Sequence, residues 1–367
     1  MAARRRVAHP RIVLVIAAVA AMTGCLYGPP YDQLLSGDEE LLEYAREKFG
    51  DGTDRVAMAV IDGDEVRTAF VSTDPSTMFE LGTGTRFLTG LLLAEAIERG
   101  EVALDDPVGE YLPLGDSAAA SVTLRALATQ YSGLPVTGPL TVWHSRTAES
   151  SDDTVETDDG GTGGEEAPAP AISLDEMLEA AKTAPVSAEP HYEFNELQAA
   201  LLGNALAAAA DRDYAELLQE RVLDPLGMDD AVLVEETEDV PDALAKPKNT
   251  SSSGGAVAPG AFAPAVGVVV TIDDIIALAR GLFSGEFADS EAFGLLEDTP
   301  WGKGIGYFWE VDSSLEGEVR AFYGWSRTFC VSMAADVESR RAVIVLRNSG
   351  DTYPWDEATD LLAIVRE

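Results

Sequence analysis

The chain has 367 residues, 46% hydrophobic and 24% charged, enough apolar material for one large core or two packed subdomains. Its 64 acids against 25 bases give a formal charge of −39, a surface that repels nucleic acid and anionic lipid headgroups. Composition therefore excludes a fibrous or wholly disordered chain and a nucleic-acid partner.

At the N-terminus Arg4, Arg5, Arg6 and Arg11 precede an apolar run from Ile12 to Met22, the charged and apolar parts of an export signal, too short for a permanent span. Met22-Thr23-Gly24-Cys25 follows and resembles a bacterial lipobox, in which Cys25 becomes the lipidated first residue. The alternative is an ordinary signal peptide with an incidental cysteine. The first reading divides the chain into a signal peptide (1–24), a tether rich in Gly and Pro (25–37) and a domain (38–367), exported and held by lipid at the outer face of the cytoplasmic membrane. Removing the four leader arginines takes the charge from −39 to −43. With Cys25 lipidated, Cys330 is the remaining thiol; it lies in an apolar strand pattern and reads as a small buried hydrophobe.

Leu41, Leu42, Ala45 and Phe49 recur at helical spacing and Gly50 closes the run, which predicts a helix over Glu39–Phe49. Val56–Ile61 and Val66–Ser72 read as strands joined through Asp62-Gly63-Asp64-Glu65, a hairpin signal. Helical patterns then follow at Thr85–Arg99, Thr123–Tyr131, Ser173–Lys182, Leu197–Ala210, Tyr214–Leu223 and Asp273–Leu282. Ser173 with Glu176, and Thr271 with Asp274, have capping-box spacing. Strand patterns return at Ile305–Val311, Val319–Tyr323, Phe329–Ala334 and Ala342–Leu346, before a last helix over Asp356–Val365. The order predicts an α/β sandwich: an antiparallel sheet using both ends of the chain, flanked by helices, with a helical subdomain inserted. Residues 145–170 carry eight acids and one base among Ser, Gly and Pro, and read as a disordered acidic loop; the alternative is a cation- or partner-binding arm.

Six segments match in order, beginning with Phe79-Glu80-Leu81-Gly82-Thr83-Gly84-Thr85-Arg86-Phe87-Leu88-Thr89-Gly90 and its continuation Glu101-Val102-Ala103-Leu104-Asp105-Asp106-Pro107-Val108. The others are Thr129-Gln130-Tyr131-Ser132-Gly133-Leu134-Pro135, Pro225-Leu226-Gly227-Met228, Gly267 to Asp274 and Arg341 to Asn348. Together they resemble the class C beta-lactamase and penicillin-binding-protein family of serine hydrolases over residues 40 to 367. That resemblance implies a Ser nucleophile at a helix N-terminus, a Lys one turn later or the Tyr of a Y-x-N motif as base, and a K-T-G or H-x-G strand motif.

At those positions this chain has other residues. Thr83 stands for the serine and Arg86 for the lysine; an arginine stays charged and cannot serve as base. Counting back from Gly203, Phe194 replaces the tyrosine and Glu196 the asparagine, while a shifted register would make Tyr192 or Asn195 the motif residue. Trp325, Ser326 and Arg327 occupy the strand motif. From the family's geometry, Arg86 is expected to pair with Glu196 under Trp325. His144 and His191 lack triad spacing, and no H-E-x-x-H, C-x-x-C or G-x-x-x-x-G-K-S/T pattern occurs, so no metal or other cofactor is expected. Trp301, Tyr307, Phe308 and Trp309 read as core and cleft wall, or as a sugar platform. The reading is an inactive homologue that binds a peptidoglycan or peptide-like ligand, or an envelope protein. The rivals are a weak esterase, amidase or D-Ala-D-Ala peptidase-like enzyme using Thr83, and an interaction protein working through its acidic loop.

Overall fold

A computed structural model of the chain describes residues 35–49, 54–135, 171–248, 258–285, 287–312, 319–326, 328–349 and 357–366. Cys25, the leader, the acidic loop 145–170, His144 and Arg327 lie outside these residues. All the described residues belong to one compact unit, Gln33–Glu367.

Strand β1 (Leu35–Gly37), within the stretch read as tether, and helix α1 (Glu39–Phe49) lead into the hairpin β2 (Val56–Asp62) and β3 (Glu65–Val71). Asp62 pairs with Glu65 across Gly63, whose φ of 60° is the left-handed value that an Asp-Gly turn supplies without strain. A short strand β4 (Phe79–Glu80) and a single tight turn (Gly82–Gly84) open helix α2 (Thr85–Glu98). Then come α3 (Leu124–Ala128), α4 (Leu174–Thr183), α5 (Glu196–Ala210), α6 (Tyr214–Leu218), β5 (Val232–Leu233), β6 (Val268–Val270) and α7 (Ile272–Phe283). The described chain ends in β7 (Glu297–Asp298), β8 (Gly304–Ile305), β9 (Glu310–Asp312), β10 (Val319–Trp325), β11 (Cys330–Asp336), β12 (Arg341–Arg347) and α8 (Glu357–Arg366).

Nine strands form one antiparallel sheet in the order β1-β3-β2-β12-β11-β10-β9-β8-β7, so the two ends of the chain meet at β2 and β12. Alternation along each central strand feeds two cores. Val56, Met58 and Val60 join Val343 and Val345 under Leu41, Leu42, Leu361 and Leu362 of α1 and α8. Ala57, Ala59 and Ile61 join Ala342, Ile344 and Leu346 in the larger core with α2, α5 and α7. Burial on both faces explains why β2 and β12 read as nearly continuous apolar runs. Helix α2 is buried almost all round, from Thr85 to Ala96, and forms the centre of the helical half. β4, β6 and β5 make a separate three-stranded sheet that fixes the approach to α2.

Both capping boxes are present, Ser173 with Glu176 and Thr271 with Asp274. The expected strand over Ile305–Val311 is broken after Ile305, and Phe308 takes a φ of 64°. The cause is tertiary. Phe308 N donates to the Ala128 carbonyl at 2.7 Å, Tyr307 N to the Ala292 carbonyl at 2.9 Å, and the Trp309 indole to the Phe87 carbonyl at 3.0 Å. The aromatic run is thereby tied to α2 and α3 in place of its sheet neighbours. The helix expected over Thr123–Tyr131 stops at Ala128, with Gln130 at φ 66°.

Candidate functional site

The site forms where the turn Gly82–Gly84 presses on the end of β10. A Cβ on Gly324 would lie 1.9 Å from the Leu81 carbonyl oxygen, and one on Gly82 would lie 2.7 Å from the Trp325 carbonyl oxygen. Two glycines thus permit backbone-on-backbone contact. The contact brings Trp325 N to 3.1 Å from Thr83 Oγ1, to which it donates. Thr85 Oγ1 accepts from Val268 N at 3.0 Å and locks the start of α2 to β6.

Thr83 is 7% exposed, and its hydroxyl sits one turn ahead of a 14-residue helix with a strand N–H against it. Helix terminus and N–H together favour negative charge on that oxygen. Among the described residues the Thr83 hydroxyl has no hydrogen bond to a side-chain proton acceptor. Arg86 donates from Nη1 to the Thr83 carbonyl at 3.0 Å, and its guanidinium carbon lies 4.7 Å from the centre of the Phe87 ring and 4.5 Å from that of Phe194. Contacts of this kind contribute roughly 0.5–2 kcal/mol each, more as they are desolvated.

Phe194 is held there by an amide network that the sequence reading missed. Gln130 Oε1 accepts from Asn195 N at 3.3 Å and from Gln198 Nε2 at 3.1 Å, and Gln198 Nε2 also donates to the Glu193 carbonyl at 2.7 Å. Asn195 caps α5 by accepting from Gln198 N at 3.1 Å and donates through Nδ2 to the Leu134 carbonyl at 3.1 Å. The segment Glu193–Asn195 is thereby clamped to the turn Gln130–Leu134. Tyr192 turns the other way, its ring 5.0 Å from Trp301 and 6.0 Å from Tyr131, both edge-on.

The expected ion pair between Arg86 and Glu196 does not form. Glu196 is the first residue of α5, directly after the Asn195 cap, whereas Arg86 lies against the Phe194 ring. Trp325 is 37% exposed and covers no such pair. Ser326 also serves the backbone: its Oγ donates to Glu80 Oε2 at 2.9 Å and accepts from Phe329 N at 3.0 Å. Burial pushes the Glu80 carboxyl up, and the hydrogen bonds from Ser326 and Thr328 pull it partly back. Thr83, Arg86, Phe194 and Trp325 therefore meet in one place, with Ser326 one residue further along and Glu196 outside.

Beside them lies a buried carboxylate without a place in the sequence reading. Glu310, on β9, accepts from the Tyr323 hydroxyl through Oε1 and from the Trp301 indole at 3.2 Å through Oε2. Tyr323 is pushed up by burial and then by the Glu310 charge, while the Arg86 charge acts in the opposite sense. Tyr307, Phe308 and Trp309 are core; Trp301, 42% exposed, is the wall. Among the described residues no cluster of His, Cys, Asp and Glu could hold a metal ion.

The beta-lactamase family model matches residues 45–366. Over 204 residues the chain is 26% identical to the D-alanyl-D-alanine-carboxypeptidase/endopeptidase AmpH of Escherichia coli strain K12, a match covering 50% of this chain and 46% of that protein. The chain thus matches less than half the length of that relative. Among solved structures it is similar to the octameric penicillin-binding protein homologue from Pyrococcus abyssi, with a TM-score of 0.69 at 19% identity over 89% of this chain and 76% of that one. It is likewise similar to a class C beta lactamase from Rhodobacter sphaeroides, with a TM-score of 0.64 at 18% identity over 85% and 94%. A family match over almost the whole described domain, on an antiparallel sheet with a helical half built around α2, makes this chain a member of the beta-lactamase family.

Proposed function

We propose that this chain is a non-hydrolysing member of its family, a cell-envelope protein that binds a peptidoglycan- or peptide-like ligand, or a protein partner, at the Thr83 site. The observation that carries the reading is Arg86. It stands one turn after Thr83, bonded to the Thr83 carbonyl and stacked on Phe194, so the group beside the hydroxyl is a permanent cation. Nucleophile and base act as a unit, and a hydroxyl without an acceptor retains little of their joint effect.

Incubation with a fluorescent penicillin and with a fluorophosphonate, followed by intact mass, tests this. No adduct is expected; an adduct at Thr83 overturns it. That outcome would favour a second reading, a weak esterase or amidase, supported by the Trp325 N–H that remains at Thr83 Oγ1. We further propose export and anchoring through Cys25, on the residues Arg4 to Cys25. Cys25→Ala should release the protein from membranes or leave it unprocessed; unchanged fractionation with no lipid mass would sink that part.

A further inference from the structure

We infer that the Arg86 guanidinium is the receptor for a ligand carboxylate, so that the site selects free carboxylic acids over the esters and amides from which hydrolysis produces them. The inference rests on the non-hydrolytic reading above and names the ligand class.

Arg86 is 6% exposed, yet a guanidinium carries five N–H donors and this one makes a single hydrogen bond among the described residues, from Nη1 to the Thr83 carbonyl. No described carboxylate lies within 4.0 Å of it. The small part of Arg86 that stays exposed is where a further partner can reach the guanidinium. The result is a cation nine-tenths buried, with no counter-ion among the described residues and with N–H donors to spare. Isolation of that kind is costly, and an anion from outside would offset it.

The surroundings specify the anion. Ring faces of Phe87 and Phe194 lie against the guanidinium, leaving its edge, and an edge of two parallel N–H groups matches a planar carboxylate bidentately. The N-terminus of α2, the Thr83 hydroxyl and the Trp325 N–H are adjacent and favour negative charge. Glu310, the nearby acid, has its two oxygens taken by Tyr323 and Trp301, so it is held off from direct contact with Arg86. A neutral ester or amide presents the same carbonyl without the charge. The reaction class that supplies such a ligand is ester or amide hydrolysis by another enzyme.

The test is thermal melting of the full chain at constant ionic strength with acetate, N-acetylalanine and benzoate, each against its amide, and with inorganic phosphate. In the parent, at least one acid should raise Tm by several degrees beyond its amide; in Arg86→Gln the difference should vanish. Arg86→Lys keeps the charge without the fork and should need about tenfold more of the same acid, which keeps the inference testable if Arg86→Gln does not fold. Three results would overturn it: acids and amides acting alike, Arg86→Gln retaining the preference, or phosphate outdoing every acid. Labelling at Thr83, read by mass in the same samples, would sink the non-hydrolytic reading while leaving the acid preference to stand or fall on its own melts.

Discussion

Three buried arginines, Arg86, Arg320 and Arg347, lean on phenylalanine rings among the described residues, and Arg347 and Arg86 differ in how their charge is met. Arg347, at the end of β12, lies 4.7 Å from the centre of the Phe49 ring, with Nη2 3.1 Å from Glu357 and Nη1 3.7 Å from Asp54; Asp54 is in turn 2.5 Å from Lys248. That cluster joins α1, β12 and α8, and its charges stay inside the protein. Arg86 has two such ring contacts, one backbone carbonyl and, among the described residues, no carboxylate within 4.0 Å. The difference separates a structural clamp from a group that faces something brought from outside: both are costly to bury, but the cost is offset internally in one case alone.

The largest effect should come from breaking the clamp. Arg347→Gln leaves Asp54 and Glu357 buried with a lost partner and should cost about 3 kcal/mol or more, measured by urea unfolding. The deficit should also depend on pH. Burial pushes the Glu357 carboxyl up from 4.5, Arg347 and Lys48 pull it back, and Asp54 adds to the rise. A carboxyl with a folded value above its unfolded one contributes stability while protonated and loses that contribution as pH climbs from about 4.5 through the folded value. Losing Arg347 raises it further, so the Arg347→Gln deficit should be wide at pH 7 and narrow toward pH 5. A deficit equal at both would remove Glu357 from the account.

Arg86→Met sharpens the contrast. It forfeits two ring contacts and one hydrogen bond, roughly 2 kcal/mol together, but relieves an unneutralised buried charge of similar cost. Net stability should stay within about 1 kcal/mol of the parent and should not vary between pH 5 and 7. A loss as large as that of Arg347→Gln would mean that Arg86 has an internal counter-ion after all.

What the sequence made legible follows the range of the forces involved. The Asp62-Gly63 hairpin, the Ser173 and Thr271 caps and the period of α1 are settled by neighbours in the chain, and each is found where the pattern puts it. Motif spacing likewise places Thr83, Arg86, Phe194 and Trp325 together. The strand over Ile305–Val311 fails because Phe308 and Trp309 bond to Ala128 and Phe87, far off in sequence. The strands β4, β5 and β8, two residues each, are too short to leave a periodic pattern. Partner choice is the least legible. Gln130 orders the loop before α5 from a backbone at φ 66°, a conformation that a glutamine does not advertise.

The smallest effect tests that last point. If Arg86 and Glu196 formed a partly buried ion pair, as motif spacing suggests, Glu196→Ala would strand a charge and cost on the order of 3 kcal/mol. In the structure Glu196 is the first residue of α5, where a carboxylate gains about 0.3–1 kcal/mol from the helix N-terminus. Alanine recovers a few tenths through its helix propensity. The cap itself comes from Asn195, which the substitution leaves in place. Glu196→Ala should therefore lie within about 0.5 kcal/mol of the parent in urea, and it should add to Arg86→Met without coupling, because the two side chains share no partner. A loss above about 2 kcal/mol, cancelled when Arg86 is also replaced, would show that in solution Arg86 leaves the Phe194 ring for the carboxylate. Its spare N–H donors would then be taken by the protein's own acid, and the carboxylate site inferred for it would fall with the same result.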